Sequence, residues 1–170
     1  MVERYQMSLK TVAHFNDVKL ALDSVEQKWI EDTARAIKDA PIILTGGNGG
    51  SAAIAIHFAA DLRSLGYKAF DMCGPSKLTQ IGNDEGFQNV FANQVRLHPD
   101  ALVILFSGSG TSENIARVFY AHKNAILFTS TMKNIQAFAV GAYRVRSDDY
   151  EVIEDAHSAI CHAIKKELRA

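Results

Sequence analysis

The sequence predicts an α/β fold, a three-layer α/β/α sandwich with a five-stranded parallel sheet and an N-terminal helical arm. Short apolar runs alternate with helical patterns five times after Pro41, which is typical of a doubly wound sheet. Three of the runs are continuously apolar, as expected for strands buried on both faces. A helical stripe of apolar residues precedes them, which predicts the arm.

The arm is the first element, and a long helix is predicted from Met7 to Asp39. Its apolar residues recur at i, i+4, i+7 and i+11, the spacing of an amphipathic helix; they are Val18, Leu22, Val25 and Trp29. This stripe packs either on its own domain or partly on another subunit, and both interpretations stay open. The second makes the chain a subunit of an oligomer.

The strands and helices of the core follow in alternation. The predicted strands are Ile42 to Leu44, Ala69 to Met72, Ala101 to Phe106, Ala125 to Phe128 and Tyr143 to Val145. The predicted helices are Ser51 to Leu65, Gly86 to Leu97, Ser112 to His122, Asn134 to Val140 and Tyr150 to Leu168. We expect one domain over residues 1–170, with the arm at 1–39 and the core at 40–170.

Composition excludes several classes of partner. Lysine plus arginine (18) nearly balances aspartate plus glutamate (19), so neither nucleic acid nor a membrane surface is expected as a partner. The polar N-terminus resembles no secretory signal, and no apolar run is long enough to span a membrane. Cys73 and Cys161 are predicted to be free thiols. We therefore expect a cytoplasmic protein.

Two loops carry the residues that are most informative about function. Thr45-Gly46-Gly47-Asn48-Gly49-Gly50-Ser51 follows the first strand, and Ser107-Gly108-Ser109-Gly110-Thr111-Ser112 follows the third. Both lead into a helix, whose positive end and free N–H groups favour an anion, and the second adds four hydroxyl donors. Parallel sheets bind ligands at this edge. The pattern predicts a phosphate site.

Nucleotide binding and simple turn formation are the alternatives for these two loops. The first loop does not fit G-x-G-x-x-G in the usual register, and no G-x-x-x-x-G-K-[ST] occurs, which disfavours dinucleotides and nucleoside triphosphates. Glycine and serine also make tight turns and helix caps, which would explain either loop alone. Two such loops at the ends of neighbouring strands favour the phosphate site.

Four segments together resemble the sugar isomerase (SIS) domain family. They are Asn48-Gly49-Gly50-Ser51-Ala52-Ala53, His57-Phe58-Ala59-Ala60-Asp61-Leu62, Gly82-Asn83-Asp84 with Val90-Phe91 and Gln94-Val95, and the Ser107 to Ser112 loop. The resemblance is strongest to members that isomerise sedoheptulose 7-phosphate. It implies a flavodoxin-like sheet, a homotetramer with sites between subunits, and often a zinc ion.

The resemblance also implies roles for individual residues. Those implied to contact substrate are Asn48, Gly49, Gly50, Ser51, Asn83, Asp84, Glu154 and, around the phosphate, Ser107, Gly108, Ser109 and Ser112. Those implied to bind metal or carry protons are His57, Asp61, Glu154 and His162, with Asp61 and His162 as the acid/base pair. Asp61 stands where the family usually has glutamate, and Glu154 where it usually has glutamine.

Residue spacing gives partial independent support for this site. His57 and Asp61 are i, i+4 and share one face of the helix that starts at the first loop. Glu154 and His157, at i, i+3, could share a ligand, whereas Glu154 and His162 are about 12 Å apart along a helix. The resemblance nevertheless implies His162 at the site, because the five-residue spacing of His157 and His162 matches its pattern, and His157 is kept as a supporting or structural residue. The remaining histidines, His14, His98 and His122, are interpreted as structural.

Two functions are consistent with these residues. The first is an aldose–ketose isomerase that converts sedoheptulose 7-phosphate to a heptose 7-phosphate through an enediol, with a base at the carbon beside the carbonyl and an acid at the oxygen. Two imidazoles and two carboxylates make zinc the best match among metals. The second is a non-catalytic domain that binds a phosphosugar or a protein partner for regulation. The retained acid/base residues favour the isomerase.

Overall fold

A computed structural model describes residues 8–130 and 141–169 of the chain. Within these ranges the strands are β1 (Ile43–Gly47), β2 (Ala69–Asp71), β3 (Leu102–Phe106), β4 (Ala125–Ser130) and β5 (Gly141–Val145). The helices are α1 (Leu9–Asp23), α2 (Gln27–Asp39), α3 (Gly50–Ser64), α4 (Pro75–Glu85), α5 (Val90–Arg96), α6 (Glu113–Ala121) and α7 (Tyr150–Glu167), with a 3₁₀ turn at Phe87–Asn89.

The five strands form one parallel sheet in the order β2-β1-β3-β4-β5. From β1 the chain adds β2 on one side and β3 to β5 on the other, so the switch point of the sheet lies between β1 and β3. There Gly47 lies opposite Phe106 at the carboxyl ends of both strands. Ligands of open parallel sheets bind at such a switch point. The α/β prediction is confirmed, and the topology brings the two glycine- and serine-rich loops side by side.

Continuous apolar sequence explains the burial of the central strands. All five residues of β1 and all five of β3 are buried. On the sheet, the rings of Phe106 and Phe128 stack 5.4 Å apart, and Phe58 of α3 packs edge-on against Phe106 at 6.2 Å. Helices α1, α2 and α3 all contact α7, while α5 contacts α4 and α6. These two groups of helices match the predicted outer layers.

The arm consists of two helices, so the prediction of one long helix from Met7 to Asp39 is wrong within the described residues. The chain breaks after Asp23, where the Ser24 hydroxyl donates to the Ala21 carbonyl (2.6 Å) and accepts the Arg146 amide (3.1 Å). A serine that bonds the backbone locally competes with helix continuation.

The predicted apolar stripe of the arm faces the molecule's own core. Val18, Leu22 and Val25 are partly buried against it, and Trp29 stacks on Tyr143 at 5.3 Å. Helix α1 also carries three large exposed apolar side chains: Leu9 (89%), Phe15 (56%) and Leu20 (63%). The stripe thus packs at least in part on its own domain, and its packing on another subunit stays a prediction.

Helix α4 was missed, and the single helix predicted from Gly86 to Leu97 is two elements, a 3₁₀ turn and α5. Pro75 occupies the first turn of α4, where its missing N–H costs nothing. Gly86 follows with φ of 88°, a conformation that glycine adopts most easily, and it separates α4 from the next elements.

The predicted helix from Asn134 to Val140 lies outside the described residues. Within the described ranges, no helix is long and apolar enough to cross a membrane.

Candidate active site

The first loop is shorter than its sequence suggested. Strand β1 continues through Gly47 and α3 begins at Gly50, which leaves only Asn48 and Gly49 between them. Gly49 has φ of 56° and ψ of −128°, a backbone conformation that side chains with a Cβ rarely adopt. The chain therefore turns sharply at the switch point and enters α3 directly.

The second loop joins β3 to α6 and is held by its own hydroxyl groups. The Ser107 hydroxyl accepts the Gly110 amide at 3.1 Å, and the Ser109 hydroxyl accepts the Thr111 amide at 3.3 Å. Ser112 is the N-cap residue of α6, and its side chain makes no capping hydrogen bond. The turn thus gathers serine hydroxyls and backbone amides at the positive end of α6, which is suited to a phosphate.

A pair of amides joins the first loop to the start of α6, which directly follows the second loop. Asn48 Nδ2 donates to Asn114 Oδ1 at 3.0 Å, and Asn114 Nδ2 donates back to Asn48 Oδ1 at 2.8 Å. Asn114 is buried in the first turn of α6. Sequence reasoning named Asn48 alone, because the sequence separates Asn114 from it by 66 positions and only the sheet order brings them together.

Two histidines and one aspartate meet between α3 and α7. His57 Nε2 lies 3.2 Å from His162 Nε2, and Asp61 Oδ2 lies 3.7 Å from His57 Nε2 and 3.9 Å from His162 Nε2. His57 and Asp61 share one face of α3, as their spacing predicted. Among the described residues, these three form the group whose ligand atoms lie within 4.8 Å of one another. We call them the His57 cluster.

The donor set of the His57 cluster fits zinc. Two imidazole nitrogens and one carboxylate oxygen are a known ligand set for Zn²⁺ in sites that keep one position open for water or substrate. The imidazole side chains are about half exposed, at 58% for His57 and 52% for His162, whereas the Asp61 side chain is 12% exposed. A ligand could reach the cluster from the side of the histidines.

Glu154 lies apart from the His57 cluster, against the start of α3. A Cβ added to Gly50 would lie 2.0 Å from Glu154 Oε2, so this carboxylate fills the space that any side chain at Gly50 would need. The pairs Gly50–Glu154, His57–His162 and Asp61–Lys165 follow each other in the same direction along α3 and α7, so the two helices run parallel. The structure does not bring Glu154 to the residues that it was expected to join at a metal.

Lys165 is a site residue that sequence reasoning missed. Its ammonium donates to Asp61 Oδ1 at 2.5 Å, and both side chains are largely shielded from solvent, at 18% and 12% exposure. Lys165 is one turn beyond His162 on α7, so a lysine at i+3 from a predicted site histidine was the available signal.

His157 belongs to the core. It is fully buried, lies about 6 Å from the rings of Phe106 and Phe128, and its Nε2 is 3.2 Å from the Thr129 carbonyl. Burial lowers the pKa of His157 from 6.5 to about 4, so the ring is neutral near pH 7. This position supports the structural interpretation of His157.

The other predicted residues take different positions. Ser51 is buried in the first turn of α3, and Gly108 is buried in the second loop, where its carbonyl accepts the Ser130 hydroxyl at 2.7 Å. Asn83 and Asp84 lie exposed in the last turn of α4 instead of a loop, and Asn83 Nδ2 donates to Asp84 Oδ1 at 2.8 Å. Their contact with a substrate stays a prediction.

Comparison with known proteins connects this geometry to a family. The pattern described as the SIS domain matches residues 13–126. A phosphoheptose isomerase of Aquifex aeolicus is 34% identical over 167 residues, covering 87% of both chains. One of Helicobacter pylori strain P12 is 29% identical over 170 residues, covering 90% of this chain and 88% of the relative.

Two solved structures share the fold over nearly the whole chain. The phosphoheptose isomerase of Neisseria gonorrhoeae superposes with a TM-score of 0.81 at 26% identity, covering 94% of this chain and 97% of the other. That of Francisella tularensis gives 0.81 at 23% identity, covering 96% and 99%.

Proposed function

The chain belongs to the SIS domain family, and on that basis we propose that it isomerises a sugar phosphate, interconverting sedoheptulose 7-phosphate and a heptose 7-phosphate. The observation that carries the proposal is the His57 cluster on α3 and α7, since α3 begins at the first of two loops suited to a phosphorylated sugar. The names of the similar proteins support the choice of sugar. The product would enter the synthesis of heptose-containing surface polysaccharide.

The proposed binding mode divides the ligand between the two loops. Ser107, Gly108, Ser109 and Ser112 would hold the phosphate through hydroxyls, amides and the positive end of α6. The sugar would contact the first loop and its surroundings, for which we propose Asn48, Gly49, Gly50, Ser51, Asn83, Asp84 and Glu154. Glu154 fits this role better than that of metal ligand, because its carboxylate lies at Gly50.

Asp61 and His162 would carry the protons. One removes the proton from the carbon beside the carbonyl as the C–H electrons form the C=C bond, and the other protonates the carbonyl oxygen, which gives an enediol. The protonated base then gives its proton to the former carbonyl carbon, while the deprotonated acid takes the hydroxyl proton from the neighbouring oxygen, whose O–H electrons form the new C=O bond. Their facing atoms, Asp61 Oδ2 and His162 Nε2, are 3.9 Å apart, so both could reach adjacent atoms of one sugar.

Zinc is proposed as the metal, held by His57, Asp61 and His162. A bound zinc ion supplies Lewis-acid polarisation of a carbonyl oxygen. The proton-carrying roles of Asp61 and His162 and their roles as ligands are tested separately, by turnover and by metal binding.

A homotetramer in the cytoplasm is proposed as the working form. The exposed apolar side chains of α1, Leu9, Phe15 and Leu20, support burial between subunits. The buried free thiols of Cys73 and Cys161 support a reducing compartment.

Incubation with a panel of C5 to C7 ketose phosphates, followed by NMR, tests the function. We expect an aldose phosphate signal from sedoheptulose 7-phosphate, lost in Asp61→Asn and in His162→Gln. His98→Gln is the matched control, because His98 is exposed and lies outside the His57 cluster. Absence of turnover with every sugar, from a folded chain that still binds sugar phosphate, would establish the non-catalytic alternative instead.

A further inference from the structure

The ion pair between Lys165 and Asp61 is the feature that the proposed reaction leaves without a role. The ammonium of Lys165 reaches from the last two turns of α7 to the last turn of α3, where it meets Asp61 Oδ1 at 2.5 Å. Lysine is seldom shielded from water, because its charge is strongly hydrated. The side chain of Lys165 is only 18% exposed and its ammonium contacts a site carboxylate, which indicates a specific role for this lysine.

The ion pair with Lys165 gives the two carboxylate oxygens of Asp61 different partners. Oδ1 accepts the Lys165 ammonium, whereas Oδ2 faces His57 Nε2 at 3.7 Å and His162 Nε2 at 3.9 Å. The terminal torsion of an aspartate is broad, so a carboxylate without such a partner would rotate and exchange its oxygens. With Oδ1 fixed, a single oxygen is presented to the two imidazoles.

We propose that Lys165 is a positioning residue, which holds the carboxylate of Asp61 so that Oδ2 points at the space shared with His57 and His162. This inference rests on the proposed function only for the role of Asp61, as zinc ligand or as proton carrier. Partners of this kind orient ligating carboxylates, and their loss typically lowers metal affinity by roughly 10- to 100-fold.

Zinc affinity, measured by competition with a chromogenic chelator, tests the proposal without any substrate. We expect Lys165→Met to weaken Zn²⁺ binding by roughly 10- to 100-fold. Lys165→Arg should recover most of the affinity, because a guanidinium also donates to a carboxylate. Lys166→Met is the matched control, since Lys166 is the next residue of α7 and is exposed. It should bind Zn²⁺ as the unchanged chain does.

A second readout follows the carboxylate itself. The visible absorption of bound Co²⁺ depends on ligand number and geometry, so it should change in Lys165→Met and return in Lys165→Arg. If Lys165→Met fails to fold by circular dichroism, Lys165→Gln replaces it, because the amide keeps a donor but not the charge. We expect Lys165→Gln to lie between Lys165→Met and the unchanged chain.

Turnover provides the third arm. Lys165→Met should lower kcat with KM nearly unchanged, since the phosphate loop lies on other elements, and Lys165→Arg should restore kcat. If the unchanged chain turns over but binds no Zn²⁺, kcat alone tests the proposal. If it binds Zn²⁺ but does not turn over, the Zn²⁺ affinity alone tests it. Equal or tighter Zn²⁺ binding by Lys165→Met would overturn the proposal, as would kcat unchanged from that of the unchanged chain.

Discussion

At the scale of single residues, the contact between Gly50 and Glu154 gives a sharp prediction. Gly50→Ala would place a methyl group 2.0 Å from Glu154 Oε2, so the carboxylate must move away from the start of α3. We expect weaker sugar-phosphate binding by calorimetry with little loss of stability, because the far end of a side chain can shift.

The matched control for this prediction is Gly74→Ala, where an added Cβ meets nothing within 4 Å and φ is −59°. Adding Glu154→Ala to Gly50→Ala should remove the steric conflict. If Gly50→Ala binds sugar phosphate as tightly as the unchanged chain, Glu154 and Gly50 have no part in the sugar site.

His157 predicts how stability depends on pH. Its pKa is about 4 in the folded chain, lowered by burial from 6.5, so the unfolded chain binds the proton first as pH falls. Stability that is present above about pH 6.5 is therefore lost as pH falls towards 4. The full loss amounts to about 3 kcal/mol, at 1.36 kcal/mol per unit of pKa.

Urea unfolding at several pH values between 7 and 4 measures this loss. His157→Met, which replaces the imidazole by a side chain of similar length that cannot titrate, should flatten the slope over that range, whereas His98→Gln should not, because His98 is exposed. An unchanged slope in His157→Met would show that other groups cause the acid sensitivity.

At the scale of elements, the loop between β3 and α6 carries the phosphate prediction. Ser107→Ala and Ser109→Ala each remove a hydroxyl that now holds a loop amide. Each lost hydrogen bond to a charged phosphate should cost about 1.5–3 kcal/mol of binding free energy. Titration with inorganic phosphate and with sugar phosphate measures the cost.

Ser76→Ala is the control for the serine variants, because Ser76 lies exposed on α4, away from this loop. Unchanged affinity in both Ser107→Ala and Ser109→Ala would place the phosphate elsewhere.

Local sequence patterns predicted the elements that depend on local burial. Short apolar runs, three of them continuously apolar, located the five strands, and the i, i+4 spacing placed His57 and Asp61 on one face. What escaped depends on contacts across the fold: the break at Ser24 involves Arg146, and the Lys165 contact needs α7 to lie parallel to α3.

Glu154 shows the same limit of sequence reasoning. Its place in the sequence resembles that of a metal ligand, but the packing of α7 beside α3 places its carboxylate at Gly50, about two turns of α3 before the His57 cluster.

At the scale of the whole molecule, the exposed apolar side chains of α1 predict the assembly. Leu9, Phe15 and Leu20 expose apolar surface that a tetramer would bury. Light scattering at micromolar concentration should give four times the chain mass of 18.7 kDa. Phe15→Glu should shift the mass towards smaller species, whereas Leu97→Glu, at a 74% exposed leucine outside the arm, should not.

A monomer in that measurement would contradict the homotetramer and would leave Leu9, Phe15 and Leu20 exposed in solution. The prediction that residues 1–170 form one domain is tested in the same samples by calorimetry, which should show a single cooperative unfolding transition.

The reciprocal amide pair of Asn48 and Asn114 has a consequence for how this site can change. Each amide is both donor and acceptor to the other, so the loop after β1 is energetically coupled to the first turn of α6, directly after the second loop. A substitution that reshapes the turn after β1 will therefore also alter the proposed phosphate loop after β3. Its effect on the binding free energy will not simply add to the effect of a substitution in the phosphate loop. Variants designed to change the sugar preference must therefore combine substitutions in both loops and be tested together.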